Sequence, residues 1–311
     1  MPNDVEVLVN LWNKNIGDDF PMTRRLFIQN SIEDLNVVNE ASFCAIVEGK
    51  TVGFIVSKTY QEPIEYGQPK NIGWIQVLIV DKHYRNRGIG TKLLNSALNQ
   101  LKQLGIDKIH LGRDVWHYFP GVPLEYEDTI NWFLKKGFKK REYIDVDLVR
   151  HFKDDEPLEL IKNNDAHFSI LNINEKDHLL KFLKEAFYGR WFYETIKYFE
   201  LGGTGRDYVV YWVDGEIKGF CRMNDDETPF IGCNVQWAGL YDEKTGGIGP
   251  LGIHPNYRKL GLGLDIVKYA VNTLHNRGCR HIVIDWTGLV SFYEKIGFSV
   301  YKQYVPLSID L

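Results

Sequence analysis

Two short stretches of this sequence repeat an uncommon spacing of arginine and glycine: Tyr84-Arg85-Asn86-Arg87-Gly88-Ile89-Gly90 and Tyr257-Arg258-Lys259-Leu260-Gly261-Leu262-Gly263. The arginines stand at 85 and 258, 173 residues apart. Each copy sits in the same local context, which is why this feature constrains the fold more than any other. Upstream, 74–80 is apolar and β-branched and 248–253 is shorter and glycine-rich; both read as strands. Downstream, Leu93, Leu94, Ala97, Leu98, Leu101 and Leu104 keep a 3.6-residue period that stops at Gly105. After the second copy, Leu264, Val267, Ala270, Val271 and Leu274 do the same before Gly278. Strand, glycine loop and helix therefore occur twice, and a repeat of this length points to two similar α/β units.

A second shared signature closes each half: Trp132-Phe133-Leu134-Lys135-Lys136-Gly137-Phe138 and Phe292-Tyr293-Glu294-Lys295-Ile296-Gly297-Phe298. Their glycines, at 137 and 297, are 160 residues apart, 13 fewer than the loops, which places an insertion in the first half around 117–123. Each half also carries a hairpin signal before its loop: 43–47 with 52–58 around Glu48-Gly49-Lys50, and 208–213 with 217–222 around Asp214-Gly215. The polar, turn-forming stretch 153–166 is expected to be a linker between a first domain, 1–152, and a second, 167–311. The expected architecture is α/β, each domain a mixed, mostly antiparallel sheet flanked by helices.

Composition narrows the function classes. With 44% hydrophobic, 25% charged and 14% aromatic residues over 311 positions, the chain has the material for real cores and none of the bias of a disordered or disulfide-stapled protein. A net charge of -4 gives no general basic field for nucleic acid or anionic membrane, so neither is expected as a partner. Cys44, Cys221, Cys233 and Cys279 form no CxxC, and the histidines show no HExxH spacing, so no metal is expected and a reducing, cytoplasmic setting fits. The start, Met-Pro-Asn-Asp-Val-Glu, has no basic signal region, and the apolar run 72–80 is too short to span a bilayer.

A glycine loop between strand and helix admits two readings, an ordinary tight turn or an anion cradle in which positive φ and free helix N–H groups receive a phosphate. Neither copy has the GxxxxGK[ST] of a Walker loop, and GxGxxG is absent, which disfavours a dinucleotide fold. With their flanking Tyr84 and Pro255-Asn256-Tyr257, and with the two Gly-Phe signatures, these loops resemble those of the GNAT superfamily of Gcn5-related N-acetyltransferases, here as a tandem pair.

The resemblance implies that Arg85, Asn86, Arg87, Gly88, Ile89, Gly90 and Thr91, and likewise Arg258, Lys259, Leu260, Gly261, Leu262, Gly263 and Leu264, bind the pyrophosphate of acetyl-CoA. It implies a bulged strand whose backbone serves the pantetheine arm, at Leu78, Ile79 and Val80 and at Leu251, Gly252 and Ile253. The chemistry is attack of an amine on a thioester in a ternary complex, and the departing thiolate is commonly protonated by the tyrosine of Phe-Tyr-x-x-x-Gly-Phe, here Tyr293. The first half has Phe133 there and could recruit Tyr118 or Tyr126 instead; Asp285, ending the next strand, could lie near the amine. His254 reads better as the start of the second loop than as a base.

The segment 117–123 with Glu125, Glu127 and Asp128, and the aromatic stretch 187–199, are candidates for acceptor contact. The acceptor is expected to be a small-molecule or peptide amine, and the protein a monomer or homodimer. The competing function is a CoA-binding regulatory or scaffold protein with degenerate acceptor clefts, favoured by Phe133 and opposed by Tyr293.

Overall fold

The computed structural model describes residues 4–68, 70–153, 156, 159–163 and 166–311. Along the chain run α1 (Val5–Ile16), α2 (Arg24–Ser31), β1 (Phe43–Val47), β2 (Lys50–Thr59), β3 (Ile72–Val80), α3 (Ile89–Gln103), β4 (Lys108–Leu111), β5 (Val122–Pro123), α4 (Glu127–Lys135) and β6 (Lys139–Lys140). There follow β7 (Asp145–His151), β8 (His167–Ile170), α5 (Lys176–Ala186), α6 (Arg190–Glu200), β9 (Tyr208–Val213), β10 (Glu216–Asn224) and β11 (Thr245–Ile253). Last come α7 (Leu262–Asn276), β12 (His281–Thr287), α8 (Val290–Tyr293), β13 (Ser299–Val305) and β14 (Leu307–Asp310). Both expected hairpins, β1–β2 and β9–β10, form as antiparallel pairs.

The chain divides into two compact units, one made of the described residues up to 63, 70–145 and 302–311, the other of 64–68 and 146–301. Each is an α/β unit, as expected. In the first sheet the strand order is β1-β2-β3-β4-β14-β6, and in the second β5-β13-β7-β12-β11-β10-β9-β8. The contiguous domains expected at 1–152 and 167–311 differ from this division at their ends. Strand β7, from the first half of the chain, lies between β12 and β13, while β14, from the second half, lies between β4 and β6. Local signals mark a strand but not the partner it chooses, so the exchange left no trace in the periodicity. Of the expected linker, 154–155, 157–158 and 164–165 lie outside the described residues.

The two repeated helices form the cores. Buried Leu94, Ala97 and Leu101 of α3 pack with Ile55, Ile75 and Ile109 of the sheet beneath. Ile266, Val267, Ala270, Val271 and Leu274 of α7 pack with Ile248, Ile282 and Ile284. Each fully buried aliphatic side chain contributes roughly 1.5–3 kcal/mol, so the apolar stripe, rather than helix propensity, holds these helices in place.

Each sheet contains one parallel step. β3 and β4 run parallel from Ile72↔Lys108 to Ile75↔Leu111, and β11 and β12 from Thr245↔His281 to Ile248↔Ile284. There the pairing stops, although β3 continues to Val80 and β11 to Ile253. The same places carry bulges, since Val56↔Val77 is followed by Ser57↔Ile75, and Cys221↔Leu251 by Met223↔Ile248. An extra residue bends the strand away from its neighbour, and Pro250, within the second bulge, has no N–H to give to a ladder. In both units, then, the strand runs on past the end of its parallel ladder, beyond Ile75 in β3 and beyond Ile248 in β11.

One buried group on β4 makes stability depend on pH. Burial, reinforced by the charges of Arg141, Arg113 and Lys108, holds the His110 imidazole down at about 4. Unfolded, it titrates near the ordinary value of about 6.5. Between those values only the unfolded chain binds the proton, so stability is full above pH 6.5 and falls as the pH drops toward 4. The loss at pH 5 is about 2 kcal/mol. Urea unfolding at pH 7 and pH 5 should show this difference in the wild type and not in His110→Gln; an equal slope in both proteins would exclude His110 as its source.

Candidate cofactor site

The two loops adopt one conformation. Asn86 and Gly88 have φ of 61° and 80°, and Lys259 and Gly261 have 65° and 80°. Gly88 and Gly261 are the N-caps of α3 and α7 and offer no side-chain cap, so the first helical N–H groups face outward, as an anion site requires. A Cβ on Gly88 would meet nothing within 4 Å, which shows that glycine stands there for its positive φ rather than for space.

The arginine of each loop has a structural task. Arg85 Nε donates to the carbonyl of Val80 at 3.0 Å, and Arg258 Nε donates to that of Ile253 at 3.0 Å. Each guanidinium thereby ties the loop to the last residue of its strand. His254 behaves as the loop start, its Nδ1 accepting the Asn256 N–H at 3.3 Å; Asp81 does the same work in the first unit, accepting from His83 N–H at 2.9 Å.

Beyond the arginine the two loops diverge in charge. In the first, the Arg87 guanidinium lies 5.1 Å from the Tyr84 ring, and Lys92, in the first turn of α3, is exposed. In the second, the position matching Lys92 is Asp265, only 3% exposed, whose carboxylate accepts the N–H groups of Lys162 and Asn163 at 3.2 and 3.0 Å.

The first loop opens into a cleft of about 1390 Å³. Its floor is β3 from Ile75 to Val80; its walls include Leu111, Gly112, Gly121 and Pro123, α4 with Trp132 and Phe133, and Asn15 and Asp19 from the end of α1 and beyond. Small-molecule pockets typically span about 300–1,000 Å³, so this one suits a long ligand. Expected ligands Leu78, Ile79, Val80, Arg85, Asn86, Gly88, Ile89, Gly90 and Thr91 all line it. Trp132 packs over the loop, its ring 3.5 Å from where a Cβ on Gly90 would lie.

The hydroxyl candidates separate. Phe133 is buried against Phe138, ring centroids 5.1 Å apart, and has no proton to give. Tyr118 is wholly buried, its hydroxyl 2.7 Å from Ser31 Oγ. Tyr126 is half-buried, lines the cleft and donates to Asp19 Oδ2 at 2.8 Å; burial and that bond raise its pKa. Sequence reasoning missed Asp19, which lies 107 residues from Tyr126 in the chain.

In the second unit Asp285 lies near enough for its charge to act on the Tyr293 hydroxyl. Tyr293 is 4% exposed, packed in the core beside Cys221 and Phe298. Its pKa is raised, mainly by burial, with the nearby Asp285 adding to the rise. Asp285 stands just past the last residue of β12 paired with β11. Burial raises its carboxyl, Glu194 adds to the rise, and Arg190 and Arg222 oppose it. Glu194 is itself held by Arg190 and by Arg222, the latter at 2.9 Å. The aromatic stretch forms α6, where Tyr193 and Tyr198 are core residues.

Comparison with known proteins agrees with this geometry. The sequence pattern of the Acetyltransferase (GNAT) family matches residues 8–119 and 170–298, most of the chain. An uncharacterised N-acetyltransferase of Methanocaldococcus jannaschii is 25% identical over 144 residues, 42% of this chain and 60% of that one. Among solved structures, the glucosamine N-acetyltransferase region of a fungal multi-domain GH3 β-N-acetylglucosaminidase matches 99% of this chain at 23% identity and a TM-score of 0.85. This chain spans 37% of that fungal protein. A Gcn5-related N-acetyltransferase of Sphaerobacter thermophilus matches 100% of this chain and 93% of its own length at 15% identity, with a TM-score of 0.72. The tandem GNAT protein of the clavulanic acid pathway matches 99% and 96% at 13% identity, with a TM-score of 0.67. At these identities the structures establish the shared fold.

Proposed function

Because the chain belongs to the GNAT acetyltransferase family, we propose that it moves an acetyl group from acetyl-CoA to an amine, with the donor held in the cleft of the first unit. The observation that carries this reading is the continuity of that cleft from the uncapped helix N-terminus of 85–91 to the bulge of β3. Pyrophosphate oxygens take the N–H groups of the loop, the pantetheine arm follows the free edge of Leu78, Ile79 and Val80, and the thioester reaches the bulge. An amine that has lost its proton attacks the carbonyl carbon. The N–C bond forms, the tetrahedral oxyanion collapses, the C–S bond breaks, and the sulfur leaves with the electron pair. The attacking nitrogen, cationic once the N–C bond has formed, releases its proton to solvent, while Tyr126 gives the sulfur its proton and recovers one from solvent beside exposed Asp19. Glucosamine, the acceptor named for the fungal region, is the first amine to assay.

A second reading, in which Tyr293 is the acid and Asp285 serves the amine, rests on their proximity in the second unit. Paired variants separate the two. Tyr126→Phe should lower thiol release from acetyl-CoA and glucosamine by about a hundredfold, with binding of acetyl-CoA retained, while Tyr293→Phe should leave turnover intact. The reverse pattern transfers the chemistry to the second unit. Tight binding of acetyl-CoA with no amine-dependent thiol release from the wild type would instead identify a regulatory or scaffold protein.

A further inference from the structure

Between Ile75 and Val80, β3 carries one polar side chain, Gln76, and it falls on the bulge. Gln76 faces no residue in register on either side. Val56↔Val77 is followed by Ser57↔Ile75 in the pairing with β2, and the parallel ladder with β4 ends at Ile75↔Leu111. The residue is 2% exposed, and its amide is fully engaged by the protein. Nε2 donates to the Asn30 carbonyl at 3.0 Å and to the Trp116 carbonyl at 2.9 Å, and Oε1 accepts from Ser31 Oγ at 2.8 Å. Both amide hydrogens thus have carbonyl acceptors, and no donor remains for a substrate. Asn30 and Ser31 end α2, and Trp116 belongs to the segment after β4, so the bulge is moored to two parts of the unit that lie outside its sheet.

A bulge is one residue of surplus, and a run of aliphatic side chains does not by itself decide where along the strand the surplus falls. Ile75, Val77, Leu78 and Ile79 are alike in chemistry, so the choice needs another signal. A buried amide supplies it. Moving the surplus by one residue would withdraw Gln76 from Asn30, Ser31 and Trp116 and leave its amide buried without partners. Fixing a register is the best-attested use of a single buried polar group. The second unit holds its bulge by other means: counted from the loop arginines, Gln76 matches Gly249, and Pro250 follows. We propose that Gln76 is a positioning residue of the first unit, whose side chain sets the β3 backbone at the end of the cleft where the thioester arrives. Gln76 lines that cleft, but with its amide engaged it acts through the backbone alone. The inference rests on the acetyl-transfer reading and adds the residue that fixes the bulge.

Thiol release from acetyl-CoA and glucosamine, measured beside calorimetric titration of acetyl-CoA, tests it on the full chain. Gln76→Met keeps the length of the side chain and removes its hydrogen bonds. Its kcat should fall about a hundredfold, the cost of a misplacement of about 1 Å at a reacting centre, while the Kd for acetyl-CoA stays within about threefold because the loop 85–91 is untouched. Leu101→Ala, in the core of α3, controls for lost stability and should keep kcat within about twofold at a temperature where both variants are folded. A kcat of Gln76→Met within about threefold of the wild type, equal losses of kcat in both variants, or a loss of acetyl-CoA affinity matching the loss of kcat would overturn the proposal and leave the acetyl-transfer reading in place. If Gln76→Met does not fold, Ser31→Ala decides, since it removes only the donor to Oε1. A kcat lower by about fivefold at unchanged affinity is then expected, and an unchanged kcat would overturn the proposal. A wild type that releases no thiol would overturn the acetyl-transfer reading itself, and the task of Gln76 with it.

Discussion

Gly90→Glu is expected to weaken acetyl-CoA binding at least a hundredfold, the largest loss available from one substitution in the first loop. The added carboxylate stands in the first turn of α3, among the N–H groups that should face the pyrophosphate. At about 4 Å and the effective dielectric of a protein surface, like charges cost about 4 kcal/mol, and each 1.4 kcal/mol is about tenfold in affinity. The backbone tolerates the change, since Gly90 has no positive φ and a Cβ there meets the Trp132 ring at 3.5 Å, an ordinary contact. Gly90→Ala is therefore the control, and titration should find its affinity within a few-fold of the wild type. Equal losses in both variants would mean that bulk rather than charge is excluded, and no loss in Gly90→Glu would remove the first loop from the donor site.

Lys58→Met should cost about 3–5 kcal/mol of stability, the characteristic penalty for stripping one partner from a buried ion network. Lys58 is fully buried on β2, and its ammonium lies 2.7 Å from Asp34 and 2.7 Å from Asp114. The methionine would leave two carboxylates facing each other without a cation. A melting temperature lower by about 10 °C is the expected readout. The triple variant Lys58→Met/Asp34→Asn/Asp114→Asn should recover most of the loss; if it is no better than the single one, packing of the lysine stem rather than charge is at stake. This network also reaches the cleft, since Gln76, the bulged residue of β3 and part of the cleft lining, donates through Nε2 to Asp114 Oδ2 at 3.5 Å and to the Trp116 carbonyl at 2.9 Å, a carbonyl that Lys58 Nζ also approaches at 3.5 Å. Loss of Lys58 should therefore impair turnover as well as stability.

The parts of the molecule that were legible in the sequence share a cause. Positive φ at Gly88 and Gly261, and again at Gly137 and Gly297 in the closing signatures, selects glycine by local geometry, so the residue type reports the backbone directly. The apolar stripes of α3 and α7 are likewise periodic along the chain. Features assembled over long separations were silent. Asp34, Lys58 and Asp114 meet only in three dimensions, as do Asp19 and Tyr126, and nothing in their neighbours announces it. The exchange of β7 and β14 is of this kind too. Asp265 is intermediate: laying one loop over the other sets it against Lys92 and exposes the charge reversal, but its backbone partners at 162 and 163 needed the folded structure.

The place of β14 also orders the steps of biosynthesis. The unit that is made first carries the loop and cleft, yet its sheet lacks a strand between β4 and β6 until residues 307–310 have been translated and have cleared the ribosome. Domains generally fold as units from the N-terminus during synthesis; here the earlier unit must wait as an incomplete sheet with β4 exposed at an unpaired edge, while most of the later unit is already available to fold. A stalled or truncated transcript therefore damages the older half, and with it the donor cleft, before it harms the newer one.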